Sequence, residues 1–444
     1  MSVKYYAKYR DSEISWIGAI PKEWNVRRIK NLIIFHQAGA WGEEVCEDDN
    51  NRVCIRVADF DFEHLAVNSD EYTIRNYLPS QIEKLTLQIG DILIEKSGGG
   101  EKSPVGRIVM FDKDFPALYA NFIEAIRPNT TVINRFLGYI LASAYHKGVN
   151  RKYYNQTTGI QNLNLTLYIC EKVCIPSLNE QSAIVTYLDR CTAEIDKLLA
   201  DLQSQADMLD RYKRELIADV VTHGIDKTVS RKDSGVDWIG KVPTDWMVVP
   251  LRAVAKDNTV KNDGMQCDNL LSLSYGKIIR KDIDTNFGLL PESFEGYQVV
   301  QAGYTVLRLT DLQNDKRSLR TGYVSEAGII TSAYTGLIPS KQIDGKYFTY
   351  LLHAYDLKKI YYGLGGGVRQ SLKYSDLKTL PILIPPISDQ RAIVAYINDK
   401  TTQVDNLIAD INKQIEKLKQ YRQIVIHDAV TGKIKVKEMQ NNGN

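Results

Sequence analysis

Side chains that can bond nucleic-acid bases and phosphates are concentrated in a few short stretches of this 444-residue chain. Arginine, lysine, asparagine and glutamine can reach base edges, while further cations and hydroxyls bond phosphate oxygens. The stretches follow predicted strands or lie in glycine-rich loops. The candidate nucleic-acid contacts are Arg56, Asp59, Lys96, Lys102, Arg151, Tyr154, Gln156, Arg280, Lys281, Arg308, Arg317, Arg320, Arg369 and Gln370.

Two features favour these stretches over other charged surface. Residues 151–157 combine cations, aromatic rings and amides, and the glycines in 96–102 and in 365–367 let a backbone without Cβ approach a phosphate closely. For any single candidate, a solvated surface cation is the alternative interpretation. The basic excess of the chain lies outside its long helical stretches, which favours an acidic partner such as nucleic acid.

The sequence predicts no catalytic site and no metal site. The loop around Lys102 resembles a phosphate-binding loop but lacks the glycine before the lysine that such a loop requires. No Asn/Asp-Pro-Pro-aromatic loop for methyl transfer is present, since Pro385 and Pro386 lie between isoleucines. The six cysteines form no Cys-x-x-Cys pair, and the six histidines are scattered, so free thiols are expected rather than a zinc site.

Length and composition indicate a multidomain globular protein. A chain of 444 residues exceeds one ordinary hydrophobic core, and 44% hydrophobic with 25% charged residues is typical of soluble proteins. There is no apolar run long enough to cross a membrane, and the first ten residues are too polar for a signal peptide. We therefore expect a cytoplasmic protein.

The chain contains a tandem repeat. The motif Trp16-Ile-Gly-Ala-Ile-Pro-Lys-Glu-Trp24 returns as Trp238-Ile-Gly-Lys-Val-Pro-Thr-Asp-Trp246, 222 positions later. A long helical stretch that begins near Asn179 returns near Ser388, 209 positions later. Between these motifs lie turn-and-strand patterns and short amphipathic helices. Two mixed α/β blocks on a common plan are therefore predicted, each followed by a long helix.

Each long helix has an apolar stripe in alternating steps of four and three, the pattern of a coiled-coil seam. Gln205 and Gln414 interrupt it at equivalent places, either to fix the register or as a solvated break. Each helix of roughly 40 residues should be about 60 Å long. The predicted seam residues are Ile184, Leu188, Ile195, Leu198, Leu202, Leu209, Ile393, Ile397, Val404, Leu407, Ile411 and Leu418.

The linker between the first helix and the second block, 224–237, is short. The second block must therefore lie near the end of the first helix and near the start of the second, which favours an antiparallel pair. The predicted fold class is α+β: two mixed α/β domains separated by two long helices packed as an antiparallel coiled coil, a pseudo-twofold tandem repeat.

These motifs resemble the specificity subunit of type I restriction-modification enzymes. The resemblance rests on Trp-Ile-Gly-x-x-Pro-x-x-Trp at the start of each block and on Ile-Pro-x-x-x-x-Gln-x-x-Ile at the start of each helix, from Ile175 and from Ile384. It covers nearly the whole chain. One departure is His223-Gly224 at the end of the first helix, where the second has Thr431-Gly432.

The resemblance implies a DNA-reading subunit without catalytic activity. Each block would be a target recognition domain for one half of a bipartite, asymmetric DNA sequence, and the helix pair would set the spacing and dock two methyltransferase subunits. S-adenosylmethionine would be used by those subunits, and ATP with magnesium by the restriction (translocase/nuclease) subunits, with no cofactor on this chain. The implied domains are 1–175 and 225–384 for recognition, 176–224 and 385–434 for the helical regions, and 435–444 for a tail.

Two other functions are compatible with parts of the sequence. One is an enzyme that acts on DNA by itself, which the missing methyltransferase, nuclease and ATPase motifs disfavour. The other is a coiled-coil protein scaffold without DNA sequence recognition. Only the DNA-reading function predicts salt-sensitive, sequence-dependent DNA affinity in the assembled complex.

Overall fold

The computed structural model describes residues 5–157, 159–283, 293–310, 312, 319–364 and 371–436. The chain divides into two compact units, one of Met1–Asp201 with Gln414–Asn444 and the other of Leu202–Lys413. Each unit contains part of both long helices. Among the described residues, no helix is both long and apolar enough to cross a membrane.

The first unit contains short strands, three short helices and the beginning of the first long helix. Its helices are α1 (Pro79–Leu85), α2 (Asn134–His146), α3 (Leu165–Tyr168) and α4 (Leu178–His223), with 3-10 turns at Ile29–Leu32, Val57–Asp59 and Val149–Lys152. Its largest sheet has the strand order Ile33–Ala38, Ile123–Pro128, Ile92–Glu95, Ile108–Met110, Ala66–Val67, Phe60–Asp61. Its smaller sheets are Ala117–Tyr119 with Asn51–Ile55 and Thr73–Asn76; Ser97–Gly98 with Ile160–Leu163 and Tyr154–Thr157; Tyr9–Asp11 with Ala19–Pro21; and Asn25–Arg28 with Lys172–Ile175.

The centre of the six-stranded sheet of the first unit is buried on both faces. Along strand Ile92–Glu95, Ile92 and Ile94 belong to the cluster that contains α2 and the long helices, while Leu93 belongs to the cluster on the other face. Successive residues of a strand point to opposite faces, so a continuous apolar run is what a doubly covered strand requires. The isoleucine-rich sequence of this strand therefore follows from its position.

The second unit has the same plan with fewer strands. Its helices are α5 (Leu251–Val254), α6 (Gly345–Leu357), α7 (Tyr374–Leu377) and α8 (Ile387–Val430), with 3-10 turns at Asp263–Met265 and Ile360–Gly363. Its largest sheet has the order Ala255–Asp257, Thr335–Pro339, Thr305–Leu307, Thr321–Tyr323. Its strand pairs are Arg231–Asp233 with Lys241–Pro243, Met247–Pro250 with Pro381–Ile384, Leu271–Ser274 with Lys277–Arg280, and Gln298–Val300 with Gly328–Ile330.

The tandem repeat predicted from sequence is present in the fold. Helices α2, α3 and α4 of the first copy correspond to α6, α7 and α8 of the second, and the four-stranded order of the second unit matches the first four strands of the larger sheet. The tryptophan motif has an equivalent place in both units. Trp24 and Trp246 are buried, and Gly432 and Gly224, just beyond the two long helices, lie against them.

A buried glutamine at the start of each long helix binds the neighbouring block. The Oε1 atom of Gln181 accepts a hydrogen bond from the backbone N–H of Ile133 at 2.7 Å, and its Nε2 donates to the carbonyl of Pro176 at 3.0 Å. Gln390 makes the equivalent bonds with Asp344 and Pro385, at 2.7 and 2.8 Å. The glutamine in the shared Ile-Pro-x-x-x-x-Gln motif therefore fixes α2 or α6 to its long helix.

Within each unit the two long helices pack antiparallel. In the first unit, Nη1 of Arg422 near the end of α8 donates to Oδ1 of Asp196 in the first half of α4 at 2.8 Å. In the second unit, Nζ of Lys213 near the end of α4 donates to Oδ1 of Asp405 in the first half of α8 at 2.6 Å. Arg422 lies 209 positions after Lys213, and Asp405 lies 209 positions after Asp196, so the two contacts are related by the repeat.

The buried stripe of the helices differs in part from the predicted seam. Leu198 is 51% exposed and Leu407 is 53% exposed, and the neighbours Leu199 and Ile408 are half-buried instead. These two seam assignments were wrong. The other predicted seam residues lie buried or half-buried, namely Ile184, Leu188, Ile195, Leu202, Leu209, Ile393, Ile397, Val404, Ile411 and Leu418.

The correction has a physical reason. After Leu188, the next buried residue of the stripe is Thr192, four positions later, whereas the predicted seam continued three positions later. The buried stripe then continues through Ala206 and the ion-paired Lys213. Adjacent leucines fit either phase of an apolar stripe, whereas small side chains permit close helix packing and so decide the phase. Gln205 then lies on the exposed surface, which agrees with a solvated break.

Replacing Gln181 with alanine should destabilise the protein because the N–H of Ile133 loses its acceptor in a part-buried site. The expected loss in free energy of unfolding is about 1–3 kcal/mol, measured by urea denaturation with circular dichroism. Gln390→Ala should cause a similar loss through Asp344. Gln205→Ala, at an exposed position of the same helix, is the control and should change stability by less than about 0.5 kcal/mol. Equal losses for Gln181 and Gln205 would contradict the assigned role.

Candidate nucleic-acid interface

Two of the predicted stretches meet on one sheet of the first unit, the small sheet. It consists of Ser97–Gly98, Ile160–Leu163 and Tyr154–Thr157, paired in that order and antiparallel. Lys96 immediately precedes the first of these strands, and Tyr154 begins the third. The structure therefore brings together residues that lie far apart in the sequence.

Further candidates lie around the small sheet. Lys102 is in the loop that follows Ser97–Gly98, and Arg151 is in the 3-10 turn that leads into Tyr154. The side chains of Lys102, Arg151 and Gln156 are exposed, and Tyr154 is half-buried. Exposed cations beside a small polar sheet can neutralise phosphates while the sheet approaches bases.

Glycine is required where the loop enters the small sheet. Gly98 and Gly99 have φ angles of +117° and +56°, in the left-handed region that glycine adopts readily. A Cβ on Gly99 would lie 2.8 Å from the backbone nitrogen of Val105 and 3.1 Å from Oε1 of Gln161. The glycine run thus lets the loop fold tightly over the inward side of the sheet.

Lys96 is partly neutralised by a carboxylate. Its Nζ lies 3.8 Å from Oε2 of Glu124, whose Oε1 lies 3.0 Å from Nδ1 of His36. The side chain of Glu124 is 11% exposed. Lys96 therefore contributes less free positive charge than Lys102.

Arg56 and Asp59 lie outside the small sheet, in the 3-10 turn after strand Asn51–Ile55. The carboxylate of Asp59 accepts hydrogen bonds from the backbone N–H and the guanidinium of Arg56, at 2.7 and 3.0 Å. This hydrogen bonding raises the pKa of Arg56. Because the Asp59 side chain is only 1% exposed, the structure places it as a support for Arg56 rather than at the surface.

In the second unit, Arg280 and Lys281 end the hairpin of Leu271–Ser274 with Lys277–Arg280. Both are exposed. The guanidinium of Arg280 binds Glu326 through both carboxylate oxygens, and its Nε donates to Oε1 at 2.7 Å. This hydrogen bond lowers the pKa of Glu326. Arg280 is therefore held in one orientation at the surface.

Arg308 and Arg320 lie at the ends of adjacent strands, and they differ in exposure. The N–H of Arg308 donates to the carbonyl of Arg320 at 2.8 Å, and the Arg308 side chain is half-buried. Arg320 is fully buried, and its Nη1 donates to the carbonyls of Arg308 and Thr310 at 3.2 and 2.8 Å. A buried guanidinium that binds backbone carbonyls supports the strand ends, so the prediction of a surface contact at Arg320 needs correction. Arg317, Arg369 and Gln370 lie outside the described residues.

Some polar residues of this region were not selected from the sequence. Asn155 and Asn162 face each other across two strands of the small sheet. The buried carboxylate of Glu95 pairs with the half-buried guanidinium of Arg107, with Nε to Oε2 at 2.8 Å. Burial alternates along Ile160–Leu163, with Gln161 and Leu163 buried, but the sequence Ile-Gln-Asn-Leu does not alternate apolar and polar residues and so gave no signal for Asn162.

The described part of the chain holds no group of three or more His, Cys, Asp or Glu side chains placed to bind a metal ion. All six cysteines are free.

A family model for the type I restriction modification DNA specificity domain matches residues 21–205 and 320–418, more than half of the chain. The chain belongs to this family. In the first unit the match includes the small sheet and the beginning of α4, and in the second it includes α6, α7 and most of α8.

Relatives in the specificity family align along most of the chain. The type I restriction enzyme MjaVIII specificity subunit of Methanocaldococcus jannaschii is 24% identical over 442 residues, 95% of each chain. The StySPI specificity subunit of Salmonella potsdam is 21% identical over 371 residues, 81% of this chain and 78% of its own.

Solved structures share the fold of this specificity-family chain. The HsdS subunit of Thermoanaerobacter tengcongensis matches with a TM-score of 0.50 and 15% identity, over 93% of this chain and 98% of its own. A chain from a study of complex assembly and conformational transition of the type I R-M system matches with a TM-score of 0.66 and 14% identity, with the same coverage of 93% and 98%.

Replacing Lys102 and Arg151 together with alanine should weaken DNA binding uniformly across sequences. Each lost phosphate contact should reduce the slope of log affinity against log salt by about 1, measured by fluorescence anisotropy of the assembled complex. Lys84→Ala, an exposed cation on α1, is the control and should leave the slope unchanged. An unchanged slope in the double variant, or a changed base preference, would count against a phosphate-binding role.

Proposed function

We propose that this chain is the DNA specificity subunit of a type I restriction-modification enzyme and has no catalytic activity of its own. Family membership over most of the chain supports this function. The observation that carries it is that both units repeat one framework, while the side chains at matching strand ends differ.

The difference is clearest at one pair of strands. In the first unit Glu95 ends one strand and Arg107 precedes the next. Arg308 and Arg320 occupy the equivalent positions in the second unit. In each unit the N–H of the first residue donates to the carbonyl of the second at 2.8 Å, so the backbone is the same. The exposed cations differ as well, with Lys102 and Arg151 in the first unit and Arg280 and Lys281 in the second. The two domains should therefore read different half-sites of an asymmetric target.

The proposed recognition domains are residues 1–175 and 225–384, and the proposed helical regions are 176–224 and 385–434, followed by the tail 435–444. The proposed DNA contacts are those of the candidates above that the structure leaves at or near the surface: Arg56, Lys96, Lys102, Arg151, Tyr154, Gln156, Arg280, Lys281 and Arg308.

The long helices also supply a docking surface for two methyltransferase subunits. Leu198 and Tyr212 of α4 are 51% and 49% exposed, and their equivalents on α8, Leu407 and Tyr421, are 53% and 54% exposed. Exposed apolar surface can mark a protein interaction site, and here large apolar side chains are exposed at equivalent places on both helices. The repetition of the set supports two partners of one kind. Methyl transfer would use S-adenosylmethionine on those partners, and the restriction subunits would use ATP and magnesium.

The function is tested by mapping methylated bases in DNA of a cell that expresses this chain with the methyltransferase subunits of the same host. One bipartite motif should be modified, and no motif should be modified when this chain is omitted. Methylation by the isolated chain, or methylation without a defined sequence, would contradict the proposal.

Exchanging residues 25–174 for the matching block of another specificity subunit should change one half-site only, because each unit has its own core and framework. Methylation mapping gives the result. Exchange of residues 247–383 is the matched control and should change the other half-site. A change in both half-sites from either exchange would refute modular reading.

Deleting one heptad from each long helix, 199–205 and 408–414, should shorten the gap between half-sites. Seven residues span about 10.5 Å, which is about three base pairs at about 3.4 Å each. A heptad keeps the buried stripe in phase to within about 20°. Deletion from α4 alone should instead break the helix pairing and lower stability. An unchanged gap in the double deletion would exclude the spacer role.

A further inference from the structure

The small sheet has one inward face and one outward face. Gln161 and Leu163 point inward and are buried. Asn162, which lies between them, is exposed, and Ile160, which precedes Gln161, is 50% exposed. Asn155, directly opposite Asn162 on the neighbouring strand, is exposed too. The outward face therefore carries two amides and one aliphatic side chain.

The amide of Asn162 is held in place from the neighbouring strand, where Ser97 lies directly opposite it. The hydroxyl of Ser97, in a residue 8% exposed, donates to Oδ1 of Asn162 at 2.7 Å. A carbonyl oxygen has two lone pairs, so this oxygen can accept a second hydrogen bond. Among the described residues, Nδ2 of Asn162 has no hydrogen-bond acceptor. Asn162 thus offers one donor and one acceptor side by side to a ligand.

We propose that this outward face reads an adenine and a nearby thymine in the major groove, an inference that rests on the proposed function. Asn162 donates from Nδ2 to N7 of an adenine and accepts from its N6 amino group, the bidentate pattern that distinguishes adenine from other bases. Ile160 contacts the methyl group of a thymine, because apolar side chains recognise that group in the same groove.

The dimensions and charges of the region fit this assignment. Residues two apart on a strand are about 6.7 Å apart, close to two base-pair steps of about 3.4 Å. The major groove admits a two-stranded β-ribbon such as Tyr154–Thr157 with Ile160–Leu163. Exposed Lys102, Arg151 and Lys152 beside the ribbon can bind the flanking phosphates.

The experiment uses the full chain assembled with its methyltransferase subunits, and duplexes that carry the mapped motif. Block exchange identifies the half-site read by the first unit. In that half-site each adenine is replaced in turn by 7-deazaadenine, which lacks the N7 acceptor, and each thymine by uracil, which lacks the methyl group. Equilibrium binding is measured for every duplex.

In the wild-type complex, 7-deazaadenine at one position should weaken binding by about 2- to 12-fold, the range for loss of one of the two hydrogen bonds. Uracil at a nearby position should weaken it by about 4-fold, for loss of one buried methyl group. Asn162→Asp and Asn162→Ala should abolish the 7-deazaadenine effect and leave the uracil effect. Ile160→Ala should abolish only the uracil effect.

Controls separate recognition from folding. Asn68→Asp adds the same charge as Asn162→Asp at another exposed asparagine of the first unit and should leave both base effects intact. Ser97→Ala should weaken the adenine effect without touching the uracil effect, because Ser97 positions Asn162. Sequence dependence at the other half-site should persist in all variants, which reports an intact complex.

The possible outcomes are distinct. Loss of each base effect with its own side chain supports the proposal. This inference alone is overturned if the complex modifies a defined DNA sequence but the base effects persist in the Asn162 and Ile160 variants. It is likewise overturned if the wild type shows no such base effects. An assembled complex that modifies no defined sequence overturns the proposed function and this inference with it.

Discussion

The antiparallel pairing of α4 and α8 is the constraint on which the rest of the structure depends. Its register is fixed by Asp196 with Arg422 and by Lys213 with Asp405, two contacts related by the repeat. Ion pairs near a surface contribute only about 0–1 kcal/mol each, so the stability of the pairing must come from burial of its apolar side chains. The ion pairs instead favour one alignment, because any other alignment would leave these charges unpaired or beside like charges.

In both units the residues that support the fold are similar, whereas the residues at the strand ends differ. Buried glutamines, tryptophans and doubly covered strands repeat with little change, as Gln181 and Gln390 illustrate. The residues at the strand ends do not repeat: the first unit has the pair of Glu95 and Arg107 there, and the second has the buried Arg320. The exposed cations also differ, with Lys102 and Arg151 in one unit and Arg280 and Lys281 in the other, so the two surfaces can bond different groups on a shared framework.

The sequence was sufficient for the repeat, the fold class and the helix pairing, because these depend on periodic patterns over many residues. It was insufficient for the phase of the seam, since Leu198 and Leu199 satisfy an apolar stripe equally well. It also could not tell that Arg320 is buried. Burial of one side chain depends on contacts distant in sequence, and the cross-strand pair of Asn155 and Asn162 was missed for the same reason.

Each recognition block is fastened to the helix pair at two places. In the first unit Gln181 holds the start of α4, and a Cβ on Gly432, past the end of α8, would lie 2.4 Å from the ring of Pro21. A block fastened to both helices cannot swivel on a single hinge. A turning force that DNA exerts on a block therefore passes into the helix pair as torque, and the torsional stiffness of that pair limits how far the block can rotate.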